Sequence, residues 1–441
     1  MAKKTTKKSG SSAAKKSTGK SKSTSQKKTT AAKKTTAKKT TSTKKTAAAK
    51  KTTAAKKTTT KKTAAKKPAA KKTAAKKDSY PKIIDRRLEQ LYFVMDDLKL
   101  DGLVLSHLPN IRYMTNFSGS AGHLFIYKDE MHFVTDDRYE EQIKDELYPL
   151  PNLKTHVSRD VWSYAKENKI IEDDYILGFE ADFMPYSEAV DIRNQIRPVK
   201  FKPAPGEVER FMRPKAEEEL EYIKKACEIA EQVYEKILGM IKPGMTEREI
   251  ATEISYQGRL LGSEGDAFDI IVGSGPRGAL VHGQPSDKEI KKNEIVLLDF
   301  GCIVNGFRSD ITRTFAIGKA TKDQKSMYKL IHDAQKAAID IVIPGMNGQT
   351  VDEAARSIIE KAGYGDNFKH SLGHGIGLQT HENPIITFRK EDQIVPEDCV
   401  LAIEPGIYLP DKFGMRIEDD IHVTLEGAEN LTKAPEELLV I

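Results

Sequence analysis

Residues 295–315, IVLLDFGCIVNGFRSDITRTF, constrain the fold more than any other stretch of the chain. An Asn305-Gly306 pair between two strand-like runs is the strongest short-range signal for a hairpin. With a two-residue turn, Gly301 faces Asp310 and Asp299 faces Thr312. Both carboxylates then fall on one face of the ribbon as a diagonal pair. Leu297, Leu298 and Phe300 around Asp299 argue for burial. Two acids converging on an apolar hairpin repel each other and need a cation or shared protons. A solvent-facing pair of surface acids is the other reading of this stretch taken alone.

The charge is divided unevenly along the chain. Residues 1–77 hold 28 lysines with no arginine and no acid, which leaves 44 basic against 64 acidic residues in the remainder of the 441. The lysine-, alanine- and threonine-rich repeats have almost no apolar bulk and repel themselves, so a disordered tail is expected. Such a tail would bind DNA or RNA through phosphates without reading bases. Its composition resembles the tails of linker histones and histone-like bacterial proteins. An incidental polyanion-binding extension is the plainer alternative. No apolar run approaches the length of a membrane span, and the N-terminus lacks the apolar core of an export signal. Cys227, Cys302 and Cys399 are odd in number and far apart, and read as small buried residues in a reducing compartment. A cytoplasmic protein with no membrane partner is expected, with nucleoid or ribosome association as a possible contribution of the tail.

Residues 80–202 alternate helical and strand-like periods, as expected of a small α/β domain. Leu88, Leu91, Met95 and Leu98 recur at helical spacing, and short apolar runs follow at 102–105, 123–126, 131–135 and 176–179. No chemical constellation stands out there. Lys202-Pro-Ala-Pro-Gly206 is a turn-rich boundary before a second domain, 207–441.

The second domain opens with an amphipathic helix over about 216–238, and a second helix follows at 247–260. The turn between them, KPGMT, is echoed by PGMNGQT at 344–350 after another long helix. Thr246 and Asn347 are candidate caps, so the domain reads as two similar α-α-β units around a common site. Three further polar groups stand near apolar strands. His370, His374 and His381 fall within twelve residues, with glycine on either side of His374. Glu404 ends the run VLAIEPG. Arg416, Glu418 and Asp420 alternate on one side of an expected strand. Each acid alone reads more readily as surface. Four acids in or beside apolar strands, joined by one histidine, make a ligand set for two divalent ions.

The motifs LLDFG, SDITRTF, GHGIGLQTHENP, IEPGIY and RIEDD, taken together, resemble the Xaa-Pro aminopeptidase and Xaa-Pro dipeptidase (prolidase) branch of the methionine aminopeptidase-like metallopeptidases. The resemblance covers residues 80–441 and leaves 1–77 unexplained. It implies a fold of class α/β (α+β): a pita-bread catalytic domain preceded by a creatinase-like N-terminal domain. It implies two divalent metal ions, Mn(2+) first among them. Asp299 would ligate one ion, Asp310 and Glu418 would bridge both, and His374 and Glu404 would complete the other. Glu404 would also shuttle a proton. His282 corresponds to a histidine near the scissile bond, His381 to one that contacts the substrate carbonyl, and His370 and Arg416 to supporting polar residues. The departures at Cys302, Phe307 and Gln379 touch none of these ligands.

The activity implied is hydrolysis of the bond between an N-terminal residue and proline in short peptides, by a water activated between the metals, in a homodimer. A dipeptidase restricted to Xaa-Pro is the alternative. A creatinase-like hydrolase needs no metal, and a non-catalytic nucleic-acid- or chromatin-associated module would not need the ligands. The complete ligand set argues against both.

Overall fold

The computed structural model describes residues 81–441, so the expectations placed on 1–77, disorder and nucleic-acid contact, lie outside the described residues. Strands Gly102–Leu105 (β1), His123–Ile126 (β2), Met131–Thr135 (β3), Leu153–Val157 (β4), Ile176–Phe179 (β5) and Lys200–Pro203 (β6) form one sheet. Its order is β4-β3-β2-β1-β5-β6. Only β2 runs antiparallel to its neighbours. Every connection but the tight turn between β2 and β3 contains a helix, as the alternating periods predict. Leu91 and Met95 of the helix Ile83–Asp97 are buried in the core. That core does not stop at the sheet: it continues into Ile223, Cys227, Phe307, Ile376 and Val400. No described helix is long and apolar enough to cross a membrane.

The hairpin expected at 295–315 is present. Ile271–Ser274 (β7) pairs with Ile295–Phe300 (β8), whose chain continues through Ile303–Val304 (β9) and Phe307–Arg308 (β10) into Ile311–Ala316 (β11). Asp299 lies opposite Thr312, and Val304 opposite Phe307. Asn305 and Gly306 have φ of 49° and 83°. Two positive values in a row are the signature of the two-residue turn that matches strand twist. Gly301 serves a different need. A Cβ there would lie 1.8 Å from the Ser309 carbonyl oxygen, so only glycine lets the two strands close just above the acids.

A second sheet follows: Gly373–Gly375 (β12), Glu382–Ile386 (β13), Val400–Ile403 (β14), Asp419–Thr424 and Gly427–Asn430, with a separate ribbon between. In chain order that ribbon is Gly406–Leu409 (β15) and Phe413–Arg416 (β16), which makes the later strands β17 and β18. The sheet order is β13-β12-β14-β17-β18. Leu439–Val440 (β19) closes the first sheet against β11. The two sheets meet where Glu418 N donates to Thr312 O at 3.2 Å.

Each sheet is covered by one pair of helices, and the pairs repeat each other. Glu217–Met240 with Glu247–Leu261 packs Val233, Ile237 and Ile254 on Val272, Leu298 and Phe315. Lys322–Ile339 with Gly348–Lys361 packs Ile331, Val351 and Ile359 on Leu401 and Ile421. The two turns are built alike. Gly244 N donates to Ile290 O and Ile290 N to Met245 O; Gly345 N donates to Val395 O and Val395 N to Met346 O. Thr246 and Asn347 cap the second helix of each pair through their side-chain oxygens.

One expectation needs correction. Residues 415–420 are not one strand carrying Arg416, Glu418 and Asp420 on a single side. β16 ends at Arg416 and pairs with β15, whereas β17 starts at Asp419 and pairs with β14 and β18. The chain changes sheets between them, because Glu418 is pinned to Thr312. Alternation along a sequence cannot show where a strand changes partner.

Gly301→Ala is expected to destabilise the fold by about 3 kcal/mol or more, since its neighbour is backbone that cannot yield. Gly239→Ala, exposed in a helix with nothing within 4 Å of the new methyl, should instead gain roughly 0.5 kcal/mol. Denaturant midpoints at unchanged m-value measure both.

Candidate metal centre

One cavity of about 330 Å³ lies where the two sheets meet. β8 supplies Asp299 to its wall, and Asp310 comes from the residue just before β11. β12 supplies His374, the end of β14 leads to Glu404, and the crossing between β16 and β17 gives Arg416 and Glu418. His282 and His381 line the same cavity and are both exposed. Of the residues given a metal or catalytic role from sequence, His370 alone stands off the wall. Its Nδ1 is 3.8 Å from Glu404 Oε2, and it hydrogen-bonds the Tyr408 hydroxyl at 2.9 Å.

The glycines flanking His374 are fixed by packing. A Cβ at Gly373 would lie 2.0 Å from Ala402 O, and one at Gly375 would lie 2.7 Å from Asn383 O. The β12 backbone is thus wedged between β14 and β13, which holds the His374 ring in place. Its Nδ1–H donates to the Gly375 carbonyl at 3.0 Å. That bond fixes the tautomer and leaves the Nε2 lone pair facing the acids. Nε2 is 3.8 Å from Asp310 Oδ2 and 3.9 Å from Glu404 Oε1. Those separations are too long for hydrogen bonds. They suit two donors each roughly 2.1 Å from one cation and seen at a wide angle.

The acids are held by their neighbours rather than by one another. Asp310 N donates to Asp420 Oδ2 at 2.8 Å. Thr312 Oγ1 donates to Glu418 Oε2 at 2.6 Å. Arg416 bonds Asp299 through Nη2, Thr312 Oγ1 through Nε at 2.9 Å and the Tyr408 hydroxyl through Nη1 at 2.7 Å. Thr312, Tyr408 and Asp420 thus complete the site. Thr312 was legible as the register partner of Asp299. Tyr408 sits inside the IEPGIY motif, but nothing in its spacing signals that its hydroxyl joins Arg416 to His370.

The electrostatics call for a cation. Burial, followed by repulsion from Glu418, Asp299, Asp420 and Glu404, drives the Asp310 carboxyl far above the usual carboxylate range. Burial and then Glu404 and Asp299 do the same to Glu418. Burial pushes Glu404 to about 8, and burial raises Asp299 against the pull of Arg416. Burial, with His381 beside it, holds His374 down to about 3, a neutral ligand at any working pH. Arg416 is the one lysine or arginine on the wall among the described residues, and its guanidinium is already engaged. Asp299 Oδ1 and Asp310 Oδ1 are buried with no hydrogen-bond partner. One donor atom each from Asp310, His374 and Glu418 lies within 4.8 Å of the others. Buried oxygen donors without partners, one neutral imidazole and no spare cation together fit a hard or borderline divalent metal.

The chain matches a family model described as Metallopeptidase family M24 over residues 221–425, and one described as Creatinase/Prolidase N-terminal domain over residues 87–212. It is 36% identical to the Xaa-Pro dipeptidase of Pyrococcus furiosus over 80% of this chain and 99% of that protein. The chain belongs to metallopeptidase family M24. Among solved structures, the Xaa-Pro dipeptidase from Bacillus anthracis is 38% identical, with a TM-score of 0.76 over 81% of this chain and all of that one. The X-Pro aminopeptidase from Thermotoga maritima is 34% identical, with a TM-score of 0.74 over 80% of this chain and 99% of that one. The architecture is therefore the pita-bread fold of the M24 peptidases behind a creatinase-type N-terminal domain. The protein is a metal-dependent peptidase of this family.

Metal binding to this M24 site is expected to displace protons, because burial and mutual repulsion raise the Asp310, Glu404 and Glu418 carboxyls. Titrating chelator-treated protein with Mn(2+) is expected to show a heat that scales with buffer ionisation enthalpy. It should also raise the thermal midpoint, by the equivalent of about 2.7 kcal/mol at a hundredfold excess over Kd. Asp310→Ala should lose both effects.

Proposed function

We propose that the protein is an Xaa-Pro aminopeptidase, cutting the bond between a first residue and proline in peptides that continue beyond it. The observation that carries this reading is the charge of the cavity wall. A dipeptidase needs a cation for the proline carboxylate, and Arg416 is spent on Asp299, Thr312 and Tyr408. The mouth is also open: Phe268, Asp269 and Gln284 are shared with a second groove of about 810 Å³, which gives a longer chain somewhere to go.

In this reading Asp299, Asp310, His374, Glu404 and Glu418 hold two divalent ions, with Mn(2+) favoured. When bound, such ions supply a water that is acidic enough to react near neutral pH. Glu404 accepts that water's proton and returns it toward the proline nitrogen. His381, exposed at the rim with its ring 4.4 Å from that of His374, donates to the carbonyl oxygen as charge develops on it. His282 faces the scissile bond from the opposite loop. Arg416 keeps Asp299 oriented, and His370 holds the Tyr408 hydroxyl that Arg416 also bonds. Proline lacks an amide hydrogen, so peptidases that require that donor reject it. Phe268 and Ile271 give its ring an apolar wall.

Assays on Xaa-Pro and Xaa-Pro-Xaa peptides with added manganese test the proposal. The tripeptide is expected to be cut at least tenfold faster by kcat/KM, and faster dipeptide cleavage would favour the dipeptidase. His381→Ala is expected to keep bound metal and lose about a hundredfold in kcat. Loss of metal would make His381 a ligand instead.

The lysine-rich segment supports a second, separable property. We infer that residues 1–77 add nonspecific binding to DNA or RNA in a cytoplasmic enzyme, with nucleoid or ribosome association as the outcome; homodimer formation belongs to the same proposal. Full-length protein should bind duplex DNA with an affinity that falls steeply as salt rises, and a chain starting at residue 78 should not. Binding that is insensitive to salt or to the deletion would refute it.

A further inference from the structure

His381 stands on the segment 377–382, which is tied down from several directions. Arg308 N donates to Gly377 O at 2.9 Å, and Arg308 Nε to Leu378 O at 3.0 Å. Thr380 Oγ1 donates to Ala267 O at 3.0 Å. Glu382, bonded to Lys215 Nζ at 2.7 Å, accepts the Gln379 backbone N–H at 3.0 Å. These bonds tie the segment to the catalytic domain on both sides of His381. The Gln379 side chain reaches elsewhere, across to the N-terminal sheet. Its Oε1 is 3.2 Å from His107 Nε2.

His107 is unusually well fixed for a loop residue. Its ring is stacked on Phe183 at 3.5 Å between centroids and 7° between planes. The buried Glu180 carboxylate accepts the backbone N–H of Ser106 at 2.6 Å and of His107 at 2.7 Å, and the Asn110 side-chain amide at 2.6 Å. The loop after β1 is thus locked onto the loop after β5, and the imidazole projects from a rigid base. Burial holds the His107 pKa below its ordinary value, so the ring is neutral and its Nε2–H donates to the glutamine carbonyl.

We propose that Gln379 is a positioning residue: its bond to His107 lets the N-terminal sheet set the orientation of the segment that carries His381, two residues on. This rests on the reading of His381 as the group that meets the substrate carbonyl. Neither His107 nor Gln379 lines the metal cavity, so the pair acts through His381 and not on the metals. Misplacing a catalytic group by a fraction of an ångström lowers the rate without weakening ground-state binding.

The test is a double-mutant cycle on the full-length, manganese-loaded protein with an Xaa-Pro-Xaa peptide. His107→Ala and Gln379→Ala are each expected to lower kcat about fivefold to tenfold, with KM and metal stoichiometry unchanged and, for Gln379→Ala, an unchanged thermal midpoint. The double variant should lose no more than either single one, because both break the same bond. His107→Gln, which can present an amide donor near the Nε2 position, should restore most of the rate. Unchanged kcat in Gln379→Ala, additive losses in the double variant, or a loss that tracks released metal would each overturn the proposal. Should His107→Ala fail to fold, Gln379→Ala and its kcat decide alone. A His381→Ala variant that turns over at the wild-type rate would remove the catalytic reading itself, which is a different result from any of these.

Discussion

Four of the five carboxylates on the cavity wall, Asp299, Asp310, Glu404 and Glu418, converge in the protein interior, and the fold has to hold them there. Two unit charges 4 Å apart cost about 4 kcal/mol at an effective dielectric constant of 20. Left to relax, such a group would protonate or separate. Separation is blocked because each acid is fixed from behind. Asp310 is held by its own backbone N–H on Asp420, Glu418 by Thr312, Asp299 by Arg416, and Glu404 by its backbone N–H on the Leu372 carbonyl at 2.8 Å. Burial favours protonation in the absence of a cation, and a divalent ion opposes it. Mechanical rigidity and electrostatic demand therefore meet at one place, and a metal is the partner that satisfies both.

That rigidity is built twice over. Each half of the second domain is a long helix, a glycine turn, a capped shorter helix and a sheet, and the two turns make the same backbone hydrogen bonds to a neighbouring extended segment. The helix pairs bury the outer faces of the sheets. The acids, His374 and Arg416 are drawn from both halves: Asp299 and Asp310 from the first, the others from the second. A site built on two sheets moves only if the sheets move relative to one another. The Thr312–Glu418 bridge resists that, and it passes directly through the ligand set.

The N-terminal sheet contributes more than a cover. Its core is continuous with residues of the catalytic half, and the buried pair Arg87–Glu219 ties the first helix to the long one at 217–240. Glu180, His107 and Gln379 carry this fixation as far as the loop beside the candidate metal centre. In the M24 scaffold as this chain builds it, the two domains hold the site geometry jointly.

Much of this was legible before any coordinates. The Asn-Gly turn set the register that puts Asp299 opposite Thr312, and the repeated turns announced the doubled architecture. Apolar flanks marked Asp299 as buried. These signals are local, and turn chemistry and strand alternation are properties of a few consecutive residues. The break between Arg416 and Asp419 escaped, because a strand that changes partner looks the same in sequence as one that does not. So did the role of the Tyr408 hydroxyl and the reach of His107 to Gln379, which join positions 38 and 272 residues apart. The amino-acid sequence by itself determined the hairpin, the helix pairs, the candidate acids and imidazole and the membership of the M24 family. Only the tertiary structure decided which side chains stand behind the ligands and which loop meets which. Those contacts depend on distances between segments that no local pattern encodes.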